Sequence, residues 1–63
     1  MRVGFEVLRQ RAFELADTGR FTQWGEIGAA LESEGHEAAK RRLQSDPILT
    51  RLLDARCAQA RDR

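Results

Sequence analysis

Apolar side chains in this chain recur every three or four residues, and no stretch alternates with period two. That spacing places apolar groups along one stripe of an α-helix, whereas strands need alternation. The sequence therefore predicts an all-α fold, a small bundle of three to four short helices. Punctuation divides the chain into four segments. From about Arg2 to Asp17, Met1, Phe5, Leu8, Ala12, Leu15 and Ala16 share a stripe, and Asp17-Thr18-Gly19 ends it. Val3 and Val7 fall on the opposite side, either as isolated surface valines or as a second contact surface.

The second segment is expected to start at Thr22 as N-cap, with Glu26 in its first turn and Gly35 at its end. Trp24, Ile27 and Leu31 mark its buried side. Gly25 and Gly28 interrupt it, and each interior glycine costs a helix about 1 kcal/mol relative to Ala. Two readings account for them: another backbone approaches closely there, or the helix is weak and ordered by Trp24. The third segment runs from about His36 to Gln44, with Ala39 and Leu43 inward. The fourth has the clearest start signal, Ser45-Asp46-Pro47, with Asp46 suited to the N-cap and Pro47 to the first helical position. Its arc of Ile48, Leu49, Leu52, Leu53, Cys57 and Ala60 is wide, and Arg56 falls inside it.

Size limits what this pattern can sustain. The chain has 63 residues, enough for one small domain over 1–63. Below roughly 70 residues a single core supplies only about 3–5 kcal/mol unless a disulfide, a metal or a partner adds to it. One Cys excludes an internal disulfide, and one His leaves no multi-ligand zinc pattern. Self-association is then the simplest remaining support, with a dimer expected, or a contact with another protein. An apolar arc as wide as that of the last segment packs on more than one neighbour. Ile48, Leu49, Leu52, Leu53 and Arg56, with the Gly25 and Gly28 site, are therefore the expected protein interface.

Chemistry offers little competition. Cys57 and His36 are distant in sequence, and Cys57 lies at the edge of an apolar face, where a thiol is usually inert. The hydroxyls of Thr18, Thr22, Ser33, Ser45 and Thr50 fall at helix ends or on an exposed face, where capping explains them. Glu32 and Glu34 read as the polar end of a helix. No catalytic set, cofactor or small-molecule substrate is expected. No apolar run approaches the roughly 18 residues of a membrane span, and no secretory leader is visible at the start. The expected setting is soluble and intracellular, in the cytoplasm.

Charge leaves one alternative. Lys and Arg number 11 against 10 Asp and Glu, for a formal net charge of +1. The basic residues cluster at Lys40-Arg41-Arg42, just after Glu32, Glu34 and Glu37. Helix, Gly35 turn and basic second helix over residues 24–43 resemble the helix-turn-helix unit, with Gly35 later in the unit than the usual turn. The resemblance implies DNA as a partner, with Lys40, Arg41 and Arg42 as contacts from the second helix. Without it, the three cations are a solvated helix face, Glu37 pairing with Arg41 one turn away.

Overall fold

The computed structural model describes residues 4–62, and within them the chain is four α-helices and no strand. They are α1 (Phe5–Ala16), α2 (Trp24–Ser33), α3 (Ala39–Gln44) and α4 (Pro47–Arg61). The expected contributions of Met1, Arg2 and Val3 lie outside the described residues. No described helix is long and apolar enough to cross a membrane.

The core follows the helical stripes. Leu8, Ala12, Leu15 and Ala16 of α1 meet Ile27 and Leu31 of α2, Ala39 and Leu43 of α3, and Leu49, Leu53 and Cys57 of α4. No polar or charged residue is buried among the described residues, so the interior carries no desolvated charge to compensate. α1 and α4 lie side by side and run in the same direction: Phe5 borders Leu49 and Leu52, while Phe13 and Asp17 meet Arg56. Arg11 ties α1 to the end of α2, its Nε and Nη2 donating to the two Glu34 oxygens at 2.9 and 2.7 Å. That fork holds the Glu34 carboxyl below its ordinary range.

Helix ends show where local signals suffice. At α4, the Asp46 carboxylate accepts from the Leu49 N–H at 3.1 Å and Pro47 opens the helix, as the sequence predicts. At the end of α2, Gly35 takes φ +102°, and the His36 and Gly35 N–H groups donate to the Leu31 and Glu32 carbonyls. This is a Schellman closure, for which glycine is the unstrained residue.

Elsewhere residues beyond the cap position supply the acceptors. Gln23, not Thr22, is the N-cap of α2, and its side chain makes no cap bond. Instead Glu26 reaches back to accept from the Thr22 N–H at 2.7 Å, and Asp54 of α4 accepts from the Trp24 N–H at 2.8 Å. α3 starts at Ala39, three residues later than His36, because Ala38 turns into the left-handed region at φ 55°. Glu32 of α2 supplies the missing acceptor, taking the Lys40 N–H at 3.1 Å.

The two helical glycines separate. A Cβ on Gly28 would stand 3.0 Å from the Lys40 Cα and 2.9 Å from its Cγ, so α3 rests directly on the α2 backbone. A Cβ on Gly25 would meet nothing within 4 Å. The close approach therefore belongs to Gly28 alone, and it is internal to the chain. Gly28→Val is expected to lower unfolding free energy by about 1–3 kcal/mol through overpacking. Gly25→Ala is expected to raise it by about 0.4–1 kcal/mol by relieving a helical glycine. Thermal melts of the two variants, followed by circular dichroism, should move in opposite directions. A Gly28→Val melt at or above the wild-type midpoint would contradict the packing described.

Candidate protein-docking face

The wide arc of α4 divides in two. Leu49 and Leu53, expected at an interface, are 2% and 0% exposed and belong to the chain's own core. With about 100° between successive residues, Leu49, Leu53 and Cys57 point inward on one stripe. Ile48, Leu52 and Arg56 form a second stripe one residue round. Ile48 is 73% exposed and Leu52 45%. Arg56 is also exposed, its guanidinium 4.9 Å from the Phe13 ring centroid and its Nη1 3.0 and 3.2 Å from the two Asp17 carboxylate oxygens.

α1 continues this surface with a matching stripe, Phe5, Arg9 and Phe13, at the same spacing of four. Phe5 and Arg9 share a hollow with Asp46, Ile48, Leu49 and Leu52. Arg9 also borders the neighbouring hollow with Glu6, Gln10, Phe13 and Arg56. The Arg9 guanidinium stands 5.8 Å from the Phe13 centroid, so two guanidinium groups lie near this one ring. The outcome is one shallow face across two parallel helices, apolar at Phe5, Ile48 and Leu52, with arginine heads over Phe13. Val7, 46% exposed, borders a further hollow with Gly4, Phe5 and Glu6. The sequence singled out the α4 half of this face. Its signal for the α1 half was the repeat of the same spacing, readable only once α1 lies beside α4.

The remaining candidates fall elsewhere. Gly25 and Gly28 are not on this face. Lys40 is engaged with α2 through its backbone and stem, whereas Arg41 and Arg42 are exposed and make no ion pair among the described residues. The α2–turn–α3 centre does place a basic helix second, but with only six residues.

Glu32 and Glu34 are occupied by the Lys40 N–H and by Arg11. No group of three His, Cys, Asp or Glu among the described residues could hold a metal ion. Cys57 is fully buried, and burial pushes its thiol above the ordinary value, with Asp54 adding to the effect. His36 sits in the α2–α3 turn, and no hydrogen bond joins it to Cys57. A disulfide-exchange thiol reagent is therefore expected to label Cys57 only as fast as the protein opens, and stoichiometrically in denaturant. Rapid labelling of the native protein would contradict this placement.

No family model matches this chain, and no curated protein or solved structure matches it either.

Proposed function

We propose that this chain is a small, non-catalytic helical interaction module that associates with itself through the outer face of α1 and α4. The carrying observation is Ile48, 73% exposed beside half-exposed Leu52, on a surface that α1 extends with Phe5. Scattered surface apolar residues need no explanation, but adjacent ones on facing helices are the composition of an interface. Arg9 and Arg56 add a residue type enriched at protein contacts. Size points the same way, because a chain this short gains stability from burying a second surface. A single unpaired thiol accords with a reducing compartment, the cytoplasm in this reading.

Sedimentation equilibrium tests the proposal. At about 100 µM a micromolar dimer is largely associated, and dilution should return the mass to that of one chain. A single-chain mass throughout that range would overturn self-association.

A second reading, DNA binding through α3, is supported by Arg41 and Arg42, exposed and without an ion pair among the described residues on the second helix of the α2–α3 unit. It ranks behind because α3 spans only about 9 Å and because Lys40 is engaged with α2. Fluorescence anisotropy of a labelled duplex decides it. Binding that tightens steeply as salt falls, and weakens in Arg41→Ala/Arg42→Ala, would favour DNA; no binding at low salt up to about 100 µM protein removes it.

A further inference from the structure

α1 and α4 run in the same direction, so their shared face has two different ends. Both helix N-termini, with Glu6 and Asp46, lie at one end; Arg56 lies towards the other. Two copies meeting on this face have two simple twofold arrangements. An axis parallel to the helices would lay α1 on the partner's α4 with all N-termini together, setting Glu6 against Asp46 across the contact. Like charges and like ends of helix dipoles then coincide, which is unfavourable. An axis across the helices lays α1 on the partner's α1 and α4 on the partner's α4, each pair antiparallel. The dipoles then oppose, and the acidic end of one copy meets the arginine-bearing part of the other.

Glu6 and Arg9 fix the register. They border the same hollow, and neither forms an ion pair among the described residues. Opposite charges three residues apart on one helix flank are complementary to themselves under an antiparallel twofold, where residue i meets j and j meets i. Resting on the self-association reading, we infer that this face takes a second copy of the chain about a twofold axis across α1 and α4. Glu6 of each copy meets Arg9 of the other, and Ile48 of each packs near Leu52 of the other.

The register makes the contact a small one. α1 and α4, at 12 and 15 residues, are about 18 and 22 Å long. With Glu6 against Arg9 and Ile48 against Leu52, residues 5–10 of α1 and 47–53 of α4 lie opposite their symmetry mates, about 10 Å of each helix, which places the contact among weak, transient interfaces below standard size.

Charge exchange tests the register. Glu6→Arg alone sets Arg against Arg9 across the axis, and Arg9→Glu alone sets Glu against Glu6. Each variant is expected to dimerise about tenfold more weakly than wild type. An equimolar mixture should recover a one-to-one dimer of wild-type affinity, because both cross-axis pairs are again opposite. The chain carrying both substitutions should dimerise with itself, which shows that neither change acts through folding. If wild type dimerises but the mixture and the double variant stay as weak as the single variants, the antiparallel register is wrong and self-association stands. If wild type is monomeric at about 100 µM, both fail together.

Discussion

Leu53→Ala is expected to unfold the protein. Leu53 is 0% exposed and lies in the cluster where α4 meets the other three helices. Truncating a buried leucine costs about 2–5 kcal/mol, part lost transfer energy and part cavity. A core of this size supplies only about 3–5 kcal/mol in all, so one such change consumes most or all of it. Far-ultraviolet circular dichroism of the variant should show lost helix or a broad, non-cooperative melt. The neighbouring Leu52→Ala, at a half-exposed position, should melt close to wild type, within about 0.5–1 kcal/mol. Two adjacent leucines thus have opposite consequences. A cooperative, wild-type-like melt of Leu53→Ala would contradict the assignment of the inward stripe.

Ile48→Glu/Leu52→Glu is expected to leave the fold intact and abolish association. Both side chains project from the outer stripe, so two carboxylates there are solvated in the single chain. At position 48 a carboxylate also lies in the first turn of α4, where the helix dipole favours it. In the dimer the same groups would be desolvated in the centre of an apolar contact. Weakening by at least about a hundredfold follows, in line with the loss of central contacts at interfaces. Sedimentation should give the single-chain mass at concentrations where wild type is paired, with an unchanged helical spectrum. Retained pairing would mean that another surface carries the association.

Much of this architecture is legible in the sequence because helix periodicity and end signals are local. The α1 stripe of Leu8, Ala12, Leu15 and Ala16, the Asp46–Pro47 start and the Gly35 stop all depend on residues within a turn or two of one another. Periodicity gives an angle on a helix but not the neighbour at that angle. The α4 arc therefore reads as one face, and only its packing separates Leu49 and Leu53 from Ile48 and Leu52. The same holds for Gly25 and Gly28, equally small in sequence, of which only Gly28 lies under α3. Thr22 looks like a cap because its local pattern fits. Asp54 and Glu32, which supply acceptors to Trp24 and Lys40 from other helices, cannot be found by local spacing. The α1 contribution to the face stayed hidden for a related reason. Phe5 reads as part of the inward stripe until the parallel packing of α1 and α4 leaves it partly open.

Amide NMR spectra of the wild-type protein recorded on dilution, from about 1 mM to about 20 µM, test the docking face most directly, since a dimer with a Kd of tens to hundreds of micromolar changes population across that range. The face described here predicts shifts concentrated at residues 5–13 and 48–56, with α3 residues 39–44 unchanged. Spectra independent of concentration in a chain that tumbles as a monomer, or changes centred on α3, would contradict it.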